Sequence, residues 1–132
     1  MDLSENLTPL EPLIGTWTGS GDGEYPTIEP FEYTEELTFT NIGKPFLLYV
    51  QRTWSPAGDP MHTETGYVRM PAPGVVEMTL AQPTGQTELL EGTWEEENGG
   101  FRIALEGRIL NTATAKTVDA TKRVYTYLPG SL

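Results

Sequence analysis

The chain contains no cysteine, which excludes a disulfide framework, a thiolate metal site and a cysteine nucleophile, and agrees with a reducing compartment. Histidine is reduced to one residue, His62. A structural zinc site would therefore have to be assembled from carboxylates, a poor donor set for that metal. Positive charge is equally scarce. Eight Lys and Arg stand against 19 Asp and Glu, a formal net charge of -11, with no Lys or Arg before Lys44 and nine acids within the first 40 residues. Nucleic acid is excluded as a partner, because phosphate contacts need clustered basic side chains. An acidic surface also slows an anionic small substrate, so specific binding is expected from an enclosed site. No apolar run approaches the roughly 18 residues of a membrane span, and Met1-Asp2-Leu3-Ser4-Glu5 lacks the basic start of a leader. The expectation is a cytoplasmic protein without a membrane partner.

Helical periodicity is the other absence. Residues 3 to 14 carry Pro9 and Pro12 among five aliphatic side chains, which predicts one short helical turn at most, capping the end of something else. The rest alternates with period two. Phe31, Tyr33, Glu35, Leu37 and Phe39 share one face of a strand over 31 to 40, and Thr34, Glu36, Thr38 and Thr40 the other. Asn41 to Pro45 predicts a turn. Residues 46 to 54 (FLLYVQRTW) are apolar on both faces at their start, as in a strand covered on both sides or facing an apolar cavity. Further strands are predicted at 63 to 70, 75 to 81, 87 to 95, 101 to 110 and 115 to 127, with Asn98-Gly99-Gly100 as a hairpin signal. With the first strand at Gly15, about eight strands follow one another through short turns. The predicted fold is all-β: an antiparallel up-and-down β-barrel occupying residues 1–132 as one domain, since closure removes exposed strand edges.

Few residues offer chemistry. His62 opens a strand and by itself reads as an exposed turn residue. Glu95-Glu96-Glu97 precedes a turn and reads as a solvated hairpin tip. Glu35 and Glu36 point to opposite faces, so adjacent carboxylates cannot form a glycosidase pair. No G-x-S-x-G elbow is present. Gly15-Thr16-Trp17-Thr18-Gly19-Ser20-Gly21 has the look of a phosphate-binding loop but lacks the following helix and the Lys-Ser/Thr pair. Its glycines fit a barrel corner better, with Trp17 in the core or plugging the barrel.

That same stretch carries a family resemblance. Gly15-Thr16-Trp17-Thr18-Gly19-Ser20-Gly21 matches the G-x-W-x-G-x-G motif of the nitrobindin family, small heme-binding β-barrels resembling fatty-acid-binding proteins. The similarity continues through 23–31, 33–36, 43–46, 60–67 and 81–85. The resemblance implies a barrel of about ten strands holding heme b, with its ferric iron near the open end. It also implies binding of nitric oxide and isomerisation of peroxynitrite to nitrate. By position, Thr27 matches a residue the family places at the heme, while Met61 and His62 match residues on the pocket side away from the axial ligand.

The family's axial histidine comes from a last-strand segment that has no counterpart before Leu132. No metal ligand is therefore assigned, beyond His62 as a substitute from the other side. Closing strands are incomplete on this reading, which leaves edges open and Phe46, Leu48 and Val50 under-covered. A homodimer that lends strands would repair both. Two alternatives to the heme protein follow. One is a non-enzymatic binder of another small hydrophobic ligand, walled by Trp17, Tyr25, Phe31, Phe39, Tyr49 and Trp54. The other is a partner-binding protein that uses its open edges for β-augmentation.

Overall fold

The computed structural model describes residues 2–25, 28–115 and 120–129, and of 20–25 and 28–32 the backbone alone. An N-terminal 3-10 helix, Glu5–Leu13, precedes eight strands: β1 (Gly15–Tyr25), β2 (Ile28–Lys44), β3 (Phe46–Trp54), β4 (Pro60–Ala72), β5 (Val75–Ala81), β6 (Gln86–Glu97), β7 (Gly100–Asn111) and β8 (Ala120–Tyr127). They form one sheet in the order β1 to β8, each pairing antiparallel with the next. The predicted meander is thus present, and the bounds of β3 and β5 match those read from the sequence. The 3-10 helix is longer than the single turn expected. Pro9 and Pro12 remove α-helical donors, but a period of three residues places Leu7, Leu10 and Leu13 on one stripe. All three are buried, so packing rather than propensity sustains the nine residues.

β2 also runs past the predicted turn at 41 to 45. The chain stays extended to Lys44 through a register shift between Asn41 and Lys44, where the Gly43 N–H donates to Asn41 Oδ1 at 2.9 Å. The Asn98-Gly99 signal is a true hairpin turn. Both residues take positive φ (51° and 82°), the left-handed pair whose twist suits adjoining strands.

The sheet curls until its first and last strands face each other. Trp17 of β1 and Tyr127 of β8 meet edge-on with ring centroids 6.1 Å apart, although among the described residues the two strands share no ladder. Curvature of this degree needs inner-face positions without side chains. At Gly66, Gly92 and Gly107 a Cβ would lie 1.8 Å from the carbonyl oxygens of Thr79, Ala104 and Leu89 respectively. Alternate residues then fill the concave side: Phe39, Leu47, Tyr49, Val68, Met70, Val76, Met78, Leu80, Leu90, Phe101, Ile103 and Leu105 are buried there with the helix leucines. The helix closes the Met70 end of this face, where Asn6 Nδ2 donates to the Met70 carbonyl at 3.1 Å. Trp17 packs against the same core, and its Nε1 donates to the Leu13 carbonyl at 2.8 Å. No helix among the described residues is long and apolar enough to cross a membrane.

Gly92→Ala places a methyl group against a backbone oxygen that cannot swing away. It should lower the unfolding free energy by about 3 kcal/mol, at the upper end for overpacking. Urea denaturation of the two proteins measures this, and equal midpoints would refute it.

Candidate functional site

Along the concave face of β4 the chain presents His62, Glu64, Gly66, Val68 and Met70 in turn, with Thr63, Thr65, Tyr67 and Arg69 outward. The apolar half faces the 3-10 helix; the polar half begins at Glu64. Glu64 and Glu88 are each only 3 % exposed. Both are held by Arg123 of β8. Its Nη1 donates to Glu64 Oε2 at 2.7 Å and its Nη2 to Glu64 Oε1 at 3.0 Å. The other edge serves Glu88, with Nη2 to Oε2 at 2.8 Å and Nε to Oε1 at 3.2 Å. Nη1 also reaches the Tyr125 hydroxyl at 3.4 Å. All five guanidinium N–H groups are therefore engaged.

Three neighbours complete the array. Tyr49 Oη donates to Glu64 Oε2 at 2.8 Å. Gln82 Nε2 donates to Glu64 Oε1 at 3.0 Å and to Glu88 Oε2. His62 Nε2 lies 3.5 Å from Glu64 Oε1, with the imidazole 42 % exposed at the end of the face away from the helix. Its backbone is fixed from β3: the His62 N–H donates to Thr53 Oγ1 at 2.8 Å, and that hydroxyl donates to the His62 carbonyl at 3.0 Å. Above the array, Gln51 Nε2 donates to Glu35 Oε2 at 2.9 Å, which confirms Glu35 as the inward member of its pair.

The electrostatics follow from burial and pairing. Burial alone would raise the Glu64 carboxyl, but hydrogen bonds and charge from Arg123, with Gln82 and Tyr49, outweigh it and hold the group below its ordinary value. Burial likewise opposes the charge on Arg123, yet Glu64 and Glu88 raise its pKa, so it stays protonated. The Tyr49 hydroxyl is pushed far upward, by burial first and then by Tyr125 and Glu64. It acts as a neutral donor. Formally the array carries two negative charges against one positive. Gln82 Oε1, buried in the same place, has no partner among the described residues.

Of the residues singled out from sequence, His62 sits beside this array. Met61, one position earlier, is 45 % exposed. Thr27 lies outside the described residues, as do the side chains of Tyr25 and Phe31. Glu95, Glu96 and Glu97 are exposed at the hairpin tip as expected. Sequence reasoning passed over Glu64, Glu88, Gln82 and Arg123. Their signal was phase: Glu64 shares parity with Val68 and Met70, Glu88 with Leu90, and Arg123 with Tyr125 and Tyr127. A separate groove of about 710 Å³ runs over the convex face, lined by Phe46, Tyr67, Arg69, Leu89, Glu91 and Arg108 among others. It lies on the opposite side of the sheet from the array. Among the described residues no group of three or more acids and histidines is placed to hold a metal ion.

Fold and site together define a class: a small antiparallel β-barrel whose concave face is apolar at a helix-capped end and polar toward the other. The chain belongs to the family of the THAP4-like, heme-binding beta-barrel domain, which matches residues 6–132; this is the nitrobindin family, and heme is its cofactor. Peroxynitrite isomerase 2 of Mycobacterium marinum is 50 % identical over 126 residues, covering 94 % of this chain and 78 % of that protein. Peroxynitrite isomerase 1 of Mycobacterium tuberculosis H37Rv is 47 % identical over 129 residues, covering 94 % and 79 %. The crystal structure of Rv2717c from M. tuberculosis superposes with a TM-score of 0.90 at 47 % identity, over 95 % of this chain and 81 % of that one.

Arg123→Met should destabilise the protein by about 3–5 kcal/mol, because it leaves two buried carboxylates facing each other. A triple variant with Glu64→Leu and Glu88→Leu should recover most of that loss; denaturant midpoints would show either outcome. The pH dependence has a definite sign. The folded pKa of Glu64 lies below its ordinary 4.5, so its contribution is fully present above that value and disappears as pH falls through the lower folded one. Thermal midpoints of the wild type should drop more steeply below pH ~4.5 than those of Glu64→Gln; parallel curves would contradict this.

Proposed function

We propose that the chain is a heme b protein that isomerises peroxynitrite to nitrate and binds nitric oxide. The observation that carries this reading is the 50 % identity to a peroxynitrite isomerase across 94 % of the chain. The donor chemistry supports it too. The only histidine of the sequence lies on the concave face with a carboxylate behind it, the partnership that fixes the orientation of an imidazole acting on a metal or its ligand. Thr53 fixes its backbone, and the apolar half of the face keeps water out from the helix side.

In this reading His62, Met61 and Thr27 are the residues that would flank the heme. Ferric heme supplies the iron centre on which the small nitrogen oxides act. The chain's own residues bind and orient it, and limit the access of water. Peroxynitrite and nitrate have the same atoms and charge, so the conversion needs no electron donor and no protein redox partner. The protein works in the cytoplasm on small molecules, independent of nucleic acid and membrane. Among the described residues β1 and β8 each pair on one side only, and a homodimer that covers those edges is part of the same proposal; sedimentation showing only monomer would remove that element.

Titration with ferric heme should give a saturable Soret shift at one equivalent. His62→Ala should weaken heme binding about tenfold, as loss of an orienting or ligating imidazole does. Stopped-flow mixing of the loaded protein with peroxynitrite should speed its decay and raise the nitrate-to-nitrite ratio of the products. A colourless protein with no Soret change would end the heme reading.

A further inference from the structure

Arg123 is the one basic side chain in the buried array, and its surroundings determine which ligands the concave face accepts. A guanidinium at the floor of an apolar site is the usual means of holding a carboxylate. Here the Arg123 side chain is 22 % exposed, whereas Glu64 and Glu88 are nearly shut away. Every one of its donors is nevertheless committed, four contacts to the two carboxylates and one to Tyr125. The two remaining strong donors in the layer, Tyr49 Oη and Gln82 Nε2, also point at Glu64. Three donor groups from β3, β8 and the turn after β5 thus converge on one carboxylate that the protein itself supplies.

We propose that Glu64 occupies a built carboxylate-recognition site as an internal occupant, and thereby makes this layer of the concave face refuse the carboxylate of an apolar ligand such as a long-chain acid, so that a ligand bearing carboxylates, heme included, is accepted only with those groups away from Arg123. Two effects act together. An incoming carboxylate finds no free donor on Arg123, Tyr49 or the Gln82 amide nitrogen. It also meets a formal excess of negative charge in a poorly solvated place, where repulsion is weakly screened. Neutral apolar ligands escape both penalties. Removing the Glu64 side chain past Cβ would vacate the acceptor position while leaving its donors in place, and would turn the same layer into an anion site. Glu64 is on this account a specificity-determining residue. It rests on the reading above only in placing the ligand on the concave face.

The test compares cis-parinaric acid with its methyl ester by fluorescence on the full chain, for the wild type, Glu64→Ala and Glu64→Gln. The wild type should bind the acid more weakly than the ester. Glu64→Ala should gain at least about tenfold in affinity for the acid, the scale of one charge-assisted bidentate contact, with the ester changed much less. Acetate should raise the thermal midpoint of Glu64→Ala and leave that of the wild type unchanged, since it refills the vacated position. If the alanine variant does not fold, Glu64→Gln, which keeps the volume and an acceptor, carries the test: the acid should gain at least about threefold relative to the ester through loss of one charge. Acid uptake by the wild type as tight as that of the ester, or no gain by the variant that folds, would overturn the proposal. Neither probe contains iron, so a failed heme titration leaves this result standing, and failure here leaves the heme reading untouched.

Discussion

Arg123 holds together parts of the chain that are far apart in sequence. It lies 59 residues from Glu64 and 35 from Glu88 in sequence, yet bonds both through parallel pairs of N–H groups. Among the described residues β8 pairs with β7 alone, so this strand is joined across the interior to β4 and β6 by one guanidinium. Such an arrangement is costly to desolvate and is held only while each charge keeps its partners. Five donors matched to four carboxylate oxygens and a hydroxyl meet that condition. The curl of the sheet and the array therefore depend on each other: without curvature the strands would not bring the three groups together, and without the groups β8 would lose its contact with the far side.

The array also divides the interior. Toward the 3-10 helix every inward side chain is apolar, closed by Leu7, Leu10 and Leu13. Toward the other end, Glu35, Gln51, Thr53 and His62 follow one another. A family whose cofactor is heme needs both halves, one to exclude water and stay rigid, the other to meet a planar ligand with oriented polar groups. The glycines at 66, 92 and 107 act for the same end, because they let the strands turn tightly enough to enclose a face at all.

The convex side has a different charge logic. Register places Glu77 opposite Glu91 and Glu91 opposite Glu106, with Arg69 and Lys122 at the two ends of the row. Like charges directly opposite destabilise a sheet modestly. Here Arg69 offsets part of that through a 2.7 Å ion pair with Glu77. The exterior thus remains strongly acidic, in keeping with the net charge, while the interior isolates its own charges in a matched group.

Strand number, order and the hairpin at Asn98-Gly99 were legible in the sequence because they depend on local alternation and turn chemistry. The G-x-W-x-G-x-G stretch and its companion segments were enough to indicate the family, since they record backbone requirements at fixed positions. The length of the 3-10 helix was not legible, because two prolines argue against any helix and only burial of three leucines sustains it. Nor was the array. Parity alone puts Glu64, Glu88 and Arg123 on the inward face, but a shift of one residue in register reverses such assignments, and nothing local says which strands will meet. By itself the sequence determined an all-β meander of one family with a single histidine. Tertiary structure alone decided that β4, β6 and β8 curl onto a common interior, because pairing of buried charges from distant strands depends on the closure of the sheet and on no neighbour in the chain.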